Sequence, residues 1–157
     1  MTGLALEASM TTPVVYQYPD VETAAAATAR EQFNGAVTVD SDWEVIPVIR
    51  IFELERLPAN WDGYGSPAPS RRTCLRALSL VAQLARLSVD HLPLPHISPA
   101  ADDGIVFELV AGQRELALSL VGEDDRVRYL RSESGEPFEE GALAPGKLPE
   151  LIGWLMS

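Results

Sequence analysis

The chain predicts an α+β protein: a three-stranded antiparallel meander packed against a helix over 70–89 and a C-terminal helix, with a further helix near 41–57. Apolar residues recur at helical spacing in those three helical stretches. Between the last two, apolar and polar residues alternate in three short runs separated by turn residues. At 157 residues, 46% of them hydrophobic, the chain is the size of one domain with a real core. A single domain over 36–157 is expected, with an N-terminal arm over 1–35 that is partly ordered or depends on a partner.

Residues 14–18, bracketed by Pro13 and Pro19, read as a short strand or an ordered arm. From Val21 to Phe33 the alanine-rich composition favours helix, with a thin apolar face, and Asn34-Gly35 ends it. Ser41 and Glu44 form a capping-box pattern for the helix near 41–57. Ile46, Ile49, Phe52 and Leu57 give it an approximate stripe; Pro47 belongs to its first turns or marks a kink, and Pro58 follows its end. Ser70 is a good N-cap for the clearest helix, where Cys74, Ala77, Leu78, Val81, Leu84 and Ala85 form a buried stripe. Asp90 to Pro99 reads as an extended, proline-rich connection.

The three strands follow. Ile105, Phe107 and Leu109 alternate in the first, Leu116, Leu118 and Leu120 in the second, Val127 and Tyr129 in the third. Gly112-Gln113 and Glu123-Asp124-Asp125 supply the turns. Glu108, Glu115, Ser119 and Arg128 belong to the polar face, where opposite charges can pair across strands. A short acidic linker over 132–141 leads to a last helix near 147–156, whose inward stripe is Leu148, Leu151, Ile152, Leu155 and Met156.

Charge narrows the partners. The formal net charge is −11. The segments 1–60 and 101–157 are acidic, while 61–100 is slightly basic. Nucleic-acid binding rests on neutralising phosphates, so no direct nucleic-acid partner is expected. A basic protein partner fits better, and acidity also serves solubility. No apolar run reaches the roughly 20 residues of a membrane helix, and the first residues lack the basic start of a secretory signal. No membrane partner is expected, and the reading is cytoplasmic. One cysteine, Cys74, excludes an internal disulfide framework.

The six residues Asn60-Trp61-Asp62-Gly63-Tyr64-Gly65, ahead of Pro67 and Pro69, stand out. The glycines bend the chain cheaply, and the aromatics carry large apolar surfaces. Two readings stay open. In one, Trp61, Asp62 and Tyr64 bind a partner. In the other, Asn60 and Asp62 hold a tight turn and Trp61 anchors it on the core. Asp102 and Asp103, just before the first strand, either bind a basic side chain or simply turn the chain. Arg71, Arg72, Arg76 and Arg86 form the one basic patch; they pair within the molecule or dock an acidic partner or a second copy. His91 and His96 lie five apart, which fits no standard zinc spacing, so no metal is expected. Cys74 sits on a buried stripe, no Gly-x-Ser-x-Gly elbow occurs, and Gly63-Tyr64-Gly65 lacks a phosphate-loop lysine. No cofactor is expected.

The order Asn60-Trp61-Asp62-Gly63-Tyr64-Gly65, Pro67, Pro69, an Ala/Leu helix, then Asp103-Gly104-Ile105-Val106-Phe107-Glu108 resembles a group of uncharacterised small acidic bacterial proteins. They share this loop and an Asp-Gly-Gly-Ile start to the strand. The resemblance covers about 57–157. This chain departs from it at Asp102-Asp103-Gly104, where the group reads Asp-Gly-Gly, and at Leu109, where an aromatic often follows the Glu. The resemblance implies a shared fold and a bacterial cytoplasmic setting, and no activity.

The sequence-based expectation for function is a non-catalytic protein–protein interaction module, antitoxin-like, immunity-like or a phage-defence accessory, whose partner is basic and encoded nearby. Two alternatives stand beside it. One is a small enzyme with Asp62, Asp102 or Asp103 as acid or base and Tyr64 as donor. The other is a self-assembling protein whose arginine patch meets the acidic tail of another copy, forming a homo-oligomer.

Overall fold

The computed structural model describes residues 42–87 and 89–157. The expected arm over 1–35, with its strand at 14–18 and its helix from Val21 to Phe33, lies outside them. The chain divides into two compact units, 1–49 and 50–157. In the first, the described residues 42–49 are the opening turns of helix α1, Asp42–Glu55, which carries Pro47 inside it. The second holds the rest of α1, then α2 (Arg71–Arg86), strands β1 (His96–Ala100), β2 (Gly104–Ala111), β3 (Arg114–Leu120), β4 (Val127–Glu133) and β5 (Glu136–Ala142), and α3 (Lys147–Met156).

The sheet has five antiparallel strands in the order β1-β2-β3-β4-β5, not the expected three. Both additions are edge strands. β1 is cut from the segment read as an extended connection. Its Pro99 has no amide to donate, which an edge strand tolerates, and it pairs opposite Ile105. β5 is cut from the segment read as an acidic linker. Glu, Pro and Gly are poor strand formers, so its composition gives no strand signal. What makes it a strand is the turn before it. Ser134 (φ 53°) and Gly135 (φ 81°) are both left-handed, the requirement of a two-residue hairpin turn.

Alternation decides which face of the sheet is dry. Ile105, Phe107, Leu109, Leu116, Leu118 and Leu120 are all buried. Helices α2 and α3 both pack on β2 and β3 over these residues. α2 inserts Thr73, Cys74, Ala77, Leu80, Val81 and Leu84; Leu78 and Ala85, expected in the stripe, are only half-buried. α3 inserts Leu148, Leu151, Ile152 and Leu155. In α1 the buried residues of the second unit are Ile51 and Leu54, while Phe52 of the expected stripe is exposed. Each large side chain buried this way contributes about 1.5–3 kcal/mol.

The other face is mixed. The register places Glu108 between His96 and Ala117, Glu115 between Val110 and Ser132, and Arg128 between Ser119 and Ala142. Apart from Glu108 opposite His96, no acid stands directly across from a basic side chain there, so cross-strand pairs of carboxylates with arginine or lysine do not align this face.

The β4–β5 end is closed by a stack of charge and aromatic rings. Arg131 pairs with Glu139, and its guanidinium lies 5.1 Å from the ring centroids of both Phe138 and Trp154. Arg114 approaches the Trp154 ring at 5.4 Å and donates to its carbonyl at 2.6 Å. Consecutive β4 residues Arg131 and Ser132 pair with Glu139 and Pro137, so Phe138 is the extra residue of a bulge, and its ring meets the Trp154 ring edge-on. Among the described residues no helix is long and apolar enough to cross a membrane.

Phe107 is the largest fully buried side chain. Phe107→Ala is expected to lower unfolding free energy by about 3–5 kcal/mol in chemical denaturation. Val110→Ala, on the same strand but exposed, should change it by less than about 0.5 kcal/mol.

Candidate functional site

The segment between α1 and α2 is a loop held by its own hydrogen bonds. Asn60 (φ 63°), Gly63 (φ 77°) and Gly65 (φ 88°) are left-handed, so the chain reverses tightly. Asn60 donates its amide to the Ser66 carbonyl at 2.8 Å, and its side-chain oxygen accepts from the Gly65 amide at 2.6 Å. Asp62 Oδ1 accepts from the amides of Tyr64 (2.9 Å) and Ser66 (3.2 Å), and its Oδ2 accepts from the Ser66 hydroxyl. The Trp61 indole donates to the Pro67 carbonyl at 3.0 Å. Trp61 is half-buried, and its indole braces the loop against its own exit. Ser66 is the residue missed by reading the sequence; the Asp62-x-x-x-Ser66 spacing is the signal that marks it.

This network fixes the chemistry of Asp62. The Ser66 hydroxyl first, and then the Tyr64 amide, hold its carboxyl below the ordinary carboxylate range. A carboxylate so stabilised is a poor proton acceptor. Tyr64 is the opposite case: its side chain is 94% exposed and makes no hydrogen bond or ring contact.

The second candidate group lies at the start of α2. Ala101, Asp102 and Asp103 form the three-residue turn between β1 and β2. Asp103 is left-handed (φ 59°), a conformation that favours glycine. Here the aspartate uses its carboxylate, accepting the amide hydrogen of Ser70. Ser70 then caps α2 by accepting from the Thr73 amide at 3.2 Å. A Cβ at Gly122 would stand 2.7 Å from Asp103 Oδ2, so the β3–β4 connection passes this turn only as glycine. Asp102 is exposed.

The first turns of α2 hold that same connection. Arg72 pairs with Asp125. Arg76 donates to the Val121 carbonyl at 3.0 Å and the Arg126 carbonyl at 3.4 Å. Asp103, Arg72 and Arg76 therefore converge around the start of α2. No hydrogen bond joins Asp62 or Tyr64 to Asp102 or Asp103, and Asp62 is satisfied inside its own loop.

Cys74 is buried on α2, and burial first, then Glu55 and Asp103, push its thiol up to about 11. It stays protonated at neutral pH, which disfavours nucleophilic use. Among the described residues no group of three or more His, Cys, Asp or Glu is placed to hold a metal ion.

Asp103→Ala removes the carboxylate from the Ser70 amide and leaves a left-handed alanine; it should cost about 1–3 kcal/mol in chemical denaturation. Asp103→Gly relieves the backbone and should cost less. For Asp62, the folded pKa lies below the unfolded one, so its bonds are complete above about pH 3.9 and are lost as pH falls through the lower folded value. Carboxyl NMR titration should give a midpoint under about 3.9, with the Tyr64 and Ser66 amide shifts following it. Compared with models of protein families, with curated proteins and with solved structures, the chain matches none.

Proposed function

We propose that this chain is a non-catalytic protein–protein interaction module of a bacterial cytoplasmic system, antitoxin-like, immunity-like or a phage-defence accessory, and that Tyr64 is its principal contact. One observation carries the reading: a tyrosine 94% exposed at the tip of a loop in which the side chains of Asn60, Trp61, Asp62 and Ser66 are already hydrogen-bonded. A rigid loop loses little entropy when a partner meets it, and tyrosine is among the residues that dominate binding energy at interfaces. The formal charge of −11 favours a basic partner, one encoded beside this chain. Asp62 and Asp103 are engaged by amides and a hydroxyl, which weighs against an acid–base role for either.

The test is quantitative binding to the products of neighbouring genes. A basic partner is expected to bind the wild-type chain and to bind Tyr64→Ala about tenfold more weakly or worse. Because the Tyr64 side chain is exposed and makes no hydrogen bond or ring contact, the same variant should keep its unfolding free energy within about 0.5 kcal/mol. Glu123→Ala serves as the exposed control. A partner indifferent to Tyr64→Ala, or no binding by any neighbour, overturns the reading.

A further inference from the structure

Two surfaces of the second unit carry charges that the fold leaves unmet. The outer stripe of α2 is Arg71, Leu75, Ser79, Ala82 and Arg86, all exposed and all on one helical face by their spacing. Leu75 is 57% exposed. Arg72 and Arg76 are committed to the β3–β4 connection, but neither Arg71 nor Arg86 meets an acid. The stripe therefore has an arginine at each end, an apolar and small-residue middle, and no acid.

The open face of the sheet is its complement. Val110, 55% exposed, lies with Ala117 and Leu130 among three acids, Glu108, Glu115 and Glu140. None of the three is ion-paired, and Arg128 is the one base among the charges on β2–β5 there, so the face keeps a negative excess. Glu108 and Glu140 are three strand spacings apart, about 14 Å. Arg71 and Arg86 are about 22 Å apart along the helix, and long side chains leaning inward cover the difference.

We infer that the outer face of α2 in one copy docks on the open sheet face of a second copy. The two surfaces are different patches, so the contact is head-to-tail; it closes as a ring or continues as a stack. Charge complementarity argues for a second copy, because both halves of the match are on the same chain. A helix about 24 Å long offers less than the roughly 800 Å² per partner of a standard interface, so association is weak and depends on concentration. This surface is separate from Tyr64 and does not rest on the binding role proposed for it.

The experiment is sedimentation velocity over a concentration series. Wild-type protein should gain mass with concentration at low salt and lose it in about 1 M salt, where the screening length falls to about 3 Å. Arg71→Glu with Arg86→Glu, and separately Glu108→Arg with Glu115→Arg, should each weaken self-association about tenfold or more. Mixed, the two reversed proteins should regain association with one another, because every surface of one is then opposite in charge to the surface it meets on the other. Leu75→Asp, at an exposed position, tests the apolar middle without reversing a charge on the sheet. A wild-type monomer at all concentrations, self-association indifferent to these variants, or reversed proteins that fail to pair overturns the inference. So does binding of duplex DNA by the monomer through Arg71 and Arg86, which would assign the stripe to another occupant.

Discussion

One row of side chains sets the register of the whole sheet. Ile97, Phe107, Leu118 and Tyr129 stand opposite one another across β1 to β4, and the row ends on β5 at Gly141. A Cβ at Gly141 would meet the Tyr129 ring at 3.2 Å, so the tyrosine closes the row over a glycine. A slip of one residue on any strand would turn its part of the row toward the open face. α2 and α3 can seat only on the face this row defines. The positions of α2's first turn, of the turn at Asp103 and of the β3–β4 connection all follow from that seating.

The parts of this architecture legible in the sequence are those where burial wrote a period into it. The stripes of α2 and α3 and the alternation at Ile105, Phe107, Leu109 and at Leu116, Leu118, Leu120 are such cases. The edges were not legible, because an edge strand is paired on one side only and needs little apolar patterning. β1 hides behind Pro99. β5 hides behind Glu136, Pro137, Glu139, Glu140 and Gly141, and its one local sign is Ser134-Gly135. At the candidate site, the tight turn held by Asn60 and Asp62 could be read from residue types. The engagement of Asp103 with Ser70 could not, since it joins residues 33 apart through the fold.

Charge in this protein does two kinds of work. Inside the folded unit, Arg131 lies close to Phe138 and Trp154, and Glu139 serves Arg131, Tyr129 and Lys147 together. Such a stack replaces an apolar lid at the corner where β5 is too acidic to supply one. Its cost is visible in Arg131 Nε, which is buried without a hydrogen-bond partner. Elsewhere, Glu108, Glu115 and Glu140 on the open face and Arg71 and Arg86 on α2 make no ion pair within the fold, which leaves them available to the solvent and to other molecules.

The loop before α2 separates two demands that usually conflict. Asn60, Asp62, Gly63, Gly65 and Ser66 supply its shape, and Trp61 ties it to Pro67. Tyr64 supplies none of it beyond a backbone amide that any residue except proline also has. Changes at the other positions must preserve a conformation; changes at position 64 need not. The side chain presented at position 64 can therefore be exchanged alone, while the scaffold that presents it stays untouched.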